Sequence, residues 1–112
     1  MAGTIKKLAG PIALTTTLTT NVYVPASALI YDIIRHIHIA NKTASQATFS
    51  LWLGATGGNA AGTELFIGYA VPANSTYDYY CMLKVTSADF LVGGSNTATA
   101  LSIVIEGESI VV

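Results

Sequence analysis

Apolar and polar residues alternate with a period of two along most of this chain. In Phe49-Ser50-Leu51-Trp52-Leu53, Phe49, Leu51 and Leu53 share one face, while Ser50 and Trp52 share the other with Thr48. In Leu29–Asn41, Ile37 and Ile39 point one way and His36, His38 and Ala40 the other. Successive side chains of a strand project to opposite faces, so this alternation predicts strands with one face in a core. The phase slips at Ile33-Ile34-Arg35, which predicts a bulge there. Asn41-Lys42-Thr43 is turn chemistry, because an Asn side chain caps its own turn and tolerates left-handed backbone. The two runs are therefore expected to pair as a hairpin over a loop of about five residues.

The same reading extends along the chain. Pro11–Thr20 is rich in threonine, a β-branched residue that loses rotamer freedom in helices, and predicts a strand. Asn21–Val24 predicts another, closed by Pro25. Gly54–Gly62 holds four glycines in nine residues, which predicts an exposed loop. It lacks the Gly-Lys-Ser or Gly-Lys-Thr ending of a phosphate-binding loop. Glu64–Val71 sets Leu65, Ile67, Tyr69 and Val71 on one face. Thr76–Val85 sets Tyr77, Tyr79, Cys81, Leu83 and Val85 against Asp78, Tyr80, Met82 and Lys84. Phe90–Val92 predicts a short strand and Gly93–Asn96 a turn. Thr97–Glu106 turns Leu101, Ile103 and Ile105 inward, Gly107-Glu108 ends it, and Ser109–Val112 forms a last strand. About eight short strands at spacings of roughly 8–12 residues, with no sustained helical period, predict an all-β fold. It is read as a single antiparallel β-sandwich or jelly-roll-like domain. Residues 1–10 carry no strong pattern and are read as an N-terminal arm, leaving 11–112 as the β-sandwich domain.

Composition changes the picture in one respect. Charged residues are 10% of the chain and apolar residues 52%, where about a quarter charged is usual. A domain of 112 residues has too much surface for its volume to hide that apolar material. Part of it is expected to face other chains. The net charge is −1 with no basic stripe, so no nucleic-acid partner is expected. The single cysteine, Cys81, excludes an intramolecular disulfide and a thiolate zinc site. No run approaches the roughly 20 apolar residues of a membrane helix. Lys6–Leu14 is short for a signal peptide and is interrupted by Gly10-Pro11. Neither a membrane partner nor a signal peptide is expected.

Candidate chemistry is sparse. His36 and His38 project from one face of one strand, the way cupin-type barrels offer two metal ligands. A site also needs a carboxylate, and Ile39–Thr48 contains none. No metal and no cofactor are expected, and both histidines are assigned to a subunit contact. There is no Gly-x-Ser-x-Gly elbow and no spacing that brings two carboxylates into a cleft, so no catalytic residues and no enzyme activity are expected. Trp52, Tyr77, Tyr79 and Tyr80 are large rings with polar tips, suited to an interface. If they instead stack on sugars, they must lie exposed on one concave face. The apolar C-terminus, Ile110, Val111 and Val112, completes the expected interface.

Four stretches carry a resemblance: Asn21-Val22-Tyr23-Val24-Pro25, Arg35-His36-Ile37-His38-Ile39-Ala40-Asn41, Phe49-Ser50-Leu51-Trp52-Leu53-Gly54 and Val71-Pro72-Ala73-Asn74-Ser75-Thr76. Through them the chain, over roughly Asn21 to Ile105, resembles the small β-sandwich structural proteins of tailed bacteriophage virions. The resemblance implies a non-enzymatic capsid decoration (cement) protein that binds the outside of a phage head and stabilises it. It implies as partners the major capsid protein and copies of the chain itself, a trimer above other oligomers. It implies a place in the virion after assembly in the host cytoplasm. The alternatives are a tail- or fibre-associated structural protein and a carbohydrate- or receptor-binding β-sandwich module.

Overall fold

The computed structural model describes residues 4–55 and 62–111. They form eight strands: β1 (Thr4–Ala13), β2 (Asn21–Tyr23), β3 (Ile30–Asn41), β4 (Ala47–Gly54), β5 (Glu64–Val71), β6 (Ser75–Val85), β7 (Phe90–Ser95) and β8 (Leu101–Val111). The pairing follows a simple rule. β1 pairs with β8, β2 with β7, β3 with β6 and β4 with β5, all antiparallel. The chain thus doubles back on itself as one long ribbon with β4 and β5 at its tip. The ribbon curls until β8 lies beside β3 and β7 beside β4. Two four-stranded sheets result, β1-β8-β3-β6 and β2-β7-β4-β5. This is the strand order of an eight-stranded jelly roll, so the all-β sandwich expected from the alternation is the observed fold.

The core lies between the sheets. Ile34, Ile37 and Ile39 of β3 and Leu101, Ile103 and Ile105 of β8 meet Phe49 and Leu51 of β4 and Leu91 of β7, all essentially without exposure. Burying one such side chain stabilises the fold by about 1.5–3 kcal/mol. The phase slip in β3 is a bulge. Register shifts between Ile34 and His36 against both neighbours, so that Ile34 and Ile37 both point inward and Arg35 and His36 outward. Gly107 sits opposite Ile34 at this bulge, where a Cβ would lie 2.0 Å from the Ile33 carbonyl oxygen. Only glycine fits so close an approach.

Several local expectations are corrected. β3 and β4 do not form a hairpin: they belong to different sheets and face each other across the core. The buried Asn41 makes the turn between them. Its Nδ2 donates to the Ser45 and Val71 carbonyls, and its Oδ1 accepts from the Thr43 backbone N–H and hydroxyl. The boundary drawn after Gly10 falls inside β1, an edge strand on β8, and the threonine run after it is a connection instead of a strand. Gly93 and Gly94 are not a turn. They lie buried within β7, and a Cβ on either would press on the Ser50 or Thr15 carbonyl. For the same reason Gly107 does not end β8, which continues to Val111. In β5 the even alternation fails because Gly68, at φ 56°, bulges the strand and turns Ile67 outward, while Phe66 and Tyr69, the latter still 40% exposed, lay their rings against Phe49. Most of the glycine loop expected at Gly54–Gly62 lies outside the described residues, as do residues 1–3 of the arm.

Candidate functional site

The inward demand of β3 decides what its outer face carries. Once the bulge turns Ile34, Ile37 and Ile39 into the core, Arg35, His36 and His38 must face away from it. Cross-strand neighbours in an antiparallel sheet share a face. Register therefore lines Tyr80, His36, Glu106 and Lys7 in one row across the sheet, and Asp78, His38 and Val104 in the next. On the other side of the His36 row lie Lys84, Ile33, Glu108 and Ile5, with Arg35 ion-paired to Glu108.

Four titratable side chains meet in the first two rows. His36 Nε2 lies 2.8 Å from Asp78 Oδ1, and His38 Nδ1 lies 2.6 Å from the same oxygen. His36 Nδ1 lies 3.0 Å from Glu106 Oε1. The Tyr80 ring stacks on the His36 imidazole, with centroids 4.5 Å apart and planes inclined by 6°. Burial works against protonation of His36, but the hydrogen bonds to Glu106 and Asp78 and their negative charges outweigh it and hold its pKa above the ordinary value. The bonds from His38 and then His36 hold the Asp78 carboxyl below the usual range. Each of the three side chains is partly open to solvent. On the Lys7 side of Glu106 lies a hollow of about 460 Å³, lined by Ile5, Lys6, Arg35 and Glu108 among others. Two imidazoles and a carboxylate converging on one point can share protons or hold a cation. Among the described residues they form a group of metal-ligating type, with all three ligand atoms within 4.8 Å of one another.

The other residues assigned to an interface scatter. Trp52 is buried, with 6% of its surface exposed, so it offers no stacking platform for a sugar. Tyr77 and Tyr79 turn between the sheets and are half-buried in an aromatic cluster with Phe49, Phe66 and Tyr69, where ring centroids lie 4.5–6.2 Å apart. Burial, then a hydrogen bond to Tyr69, pushes the Tyr77 phenol pKa up. The exposed concave platform that sugar stacking requires of Trp52 is therefore absent. Tyr80 is the exposed member, at 74%. Ile110 is half-buried and Val111 exposed, while Val112 lies outside the described residues.

Sequence reasoning placed both histidines outward and missed Asp78 and Glu106 as their partners. The outward phase of Asp78 was readable; its lateral neighbour was not, because it lies 40 positions from His38, and Glu106 lies 70 from His36. No protein-family model, curated protein or solved structure matches this chain.

Proposed function

We propose that this chain is a non-enzymatic structural subunit of a particle: a capsid decoration protein that coats the outside of a phage head as an oligomer, a trimer above other orders. The observation that carries this reading is the apolar end of the sheet β1-β8-β3-β6. Register brings the start of β1, the end of β8 and the start of β3 together there, through Thr4 opposite Ser109 and Val111 opposite Ile30. Ile5 is 83% exposed, Leu29 66% and Val111 54%. Large apolar groups gathered at one end favour contact with another chain. β1, the outer strand of the same sheet, adds a free edge for pairing with a neighbour. With 10% charged residues, copies packed side by side on a shell repel one another little. The style of the turns and strands resembles that of virion proteins and supports a place in the virion more than any one location in it. The same surface serves a tail- or fibre-associated subunit.

Light scattering after gel filtration, over a dilution series, tests the reading. A species of three chains that dissociates when Ile5→Glu and Val111→Glu are combined is the expected result. A monomer at every concentration overturns the assembly reading.

A further inference from the structure

We propose that His36, His38 and Asp78 bind a first-row divalent transition-metal ion, zinc above others, with Glu106 as the carboxylate that holds His36 from behind. This inference does not rest on the assembly reading, and either can fail without the other.

The donor set comes first. Two imidazole nitrogens and one carboxylate oxygen suit zinc and its neighbours. Calcium and magnesium prefer shells made of oxygen alone. The geometry comes next. The three ligand atoms are drawn together at Asp78 Oδ1, at 2.8 and 2.6 Å. Zinc bonds of about 2.0–2.1 Å in a tetrahedron place ligand atoms roughly 3.3 Å apart. Opening the two short contacts by about half an ångström, and bringing the imidazole nitrogens, which lie within 4.8 Å of each other, to that spacing, lets these partly exposed side chains admit the ion, and the fourth position opens to solvent.

The hydrogen-bonding roles agree with this geometry. Both nitrogens of His36 face carboxylate oxygens, Glu106 on Nδ1 and Asp78 on Nε2. Without a metal an imidazolium satisfies both carboxylates and a neutral imidazole only one. A dication between His36 Nε2, His38 Nδ1 and Asp78 Oδ1 takes the place of the proton on Nε2. Nε2 then gives its lone pair to the metal while Nδ1–H donates to Glu106. That is the carboxylate–histidine–metal arrangement by which an outer carboxylate fixes the tautomer and orientation of a ligating histidine. The scaffold is firm, since β3 and β8 are the two central strands of the sheet and β6 is hydrogen-bonded to β3. Tyr80, stacked on His36, limits rotation of that ring.

The test uses the full chain, free of any affinity tag and stripped with a chelator. It is titrated with zinc chloride by calorimetry and with cobalt(II) chloride by visible absorption. Saturation at one ion per chain is expected, with the intense visible bands of four-coordinate cobalt. His38→Gln and Asp78→Asn should each abolish saturation, and Glu106→Gln should weaken it by about 10- to 100-fold. All three lie outside the core, and circular dichroism of the metal-free variants verifies the fold. Failure to saturate at about millimolar zinc, a cobalt spectrum like that of the free aqua ion, or an affinity unchanged in His38→Gln and Asp78→Asn would overturn the site. An affinity unchanged in Glu106→Gln would overturn the role given to Glu106.

Discussion

Asp32 and Asp78 belong to the same sheet and live by opposite rules. Asp32, on β3, points inward and is 1% exposed. One of its oxygens accepts from the Tyr23 hydroxyl and the other, Oδ1, has no partner among the described residues. Asp78, on β6, points outward and accepts from two imidazoles. Burial makes a partner obligatory, because an unpaired polar group away from water costs about 1–3 kcal/mol, and more if it is charged. The Asp32–Tyr23 contact therefore works as a structural tie. It joins the three-residue strand β2 of one sheet to β3 of the other. Exposure leaves Asp78 stable with or without its partners, so its contacts are open to exchange for a ligand. A carboxylate that the fold does not depend on is the one free to do chemistry.

The largest effect that would sharpen this contrast is expected at Gly107, which sits opposite the β3 bulge between the inward Asp32 and the outward histidines. Gly107→Ala puts a Cβ about where the Ile33 carbonyl oxygen stands. The backbone must move at the bulge that turns His36 outward, and such overpacking costs about 3 kcal/mol. Chemical denaturation should show that loss, and zinc titration of the folded fraction should show weaker binding. A stable variant with intact binding would mean that the bulge does not set the geometry of the outer face.

Tyr23→Phe is next. It leaves both Asp32 oxygens buried without a donor, and a loss of about 2 kcal/mol is expected in denaturant melts. Adding Asp32→Leu should recover part of that loss, because removing both partners leaves nothing unpaired. A smaller effect follows from pH. Burial first, then the hydrogen bond to Asp32 and its charge, raises the Tyr23 phenol pKa far above its ordinary value of about 10. A group whose pKa is raised on folding contributes stability that is complete below the unfolded value and is lost as pH rises toward the folded one. The stability gap between the natural chain and Tyr23→Phe should therefore narrow above about pH 10. A constant gap from neutral to strongly alkaline pH would remove Tyr23 as the donor.

How much of this was legible in the chain follows from what alternation can report. It assigns a face, so the inward set Ile37, Ile39, Leu101, Ile103 and Ile105 and the outward set His36, His38, Asp78 and Tyr80 stand where the period put them. The doubled isoleucine in β3 announced its bulge for the same reason. Alternation says nothing of lateral neighbours, which is why β3 and β4, joined by a short polar turn, looked like a hairpin and are face-to-face strands of two sheets. Glycine misled in a second way. Gly93 and Gly94 read as turn residues and Gly107 as the end of a strand, and each is a place where another segment's carbonyl passes too close for a Cβ. The histidine–carboxylate cluster stayed hidden because its members come from three strands whose adjacency only the completed ribbon creates.

The smallest expected effect closes the contrast from the other side. Asp78→Asn should leave the unfolding midpoint of the metal-free chain close to its natural value, since the side chain is solvated and nothing packs on it as a condition of the fold. What it should change is the titration of His36. With one carboxylate removed, His36 keeps Glu106 alone, and its raised pKa should fall toward the ordinary value. NMR titration of the imidazole Cε1 proton checks this. The acid side gives the opposite sign: Asp78 has its pKa lowered on folding, so whatever it contributes is present above about pH 4 and is lost as pH falls through the folded value. Natural chain and variant should become indistinguishable in strong acid. If Asp78→Asn instead unfolds the metal-free chain, Asp78 is as structural as Asp32, and the difference between the two faces of the sheet disappears.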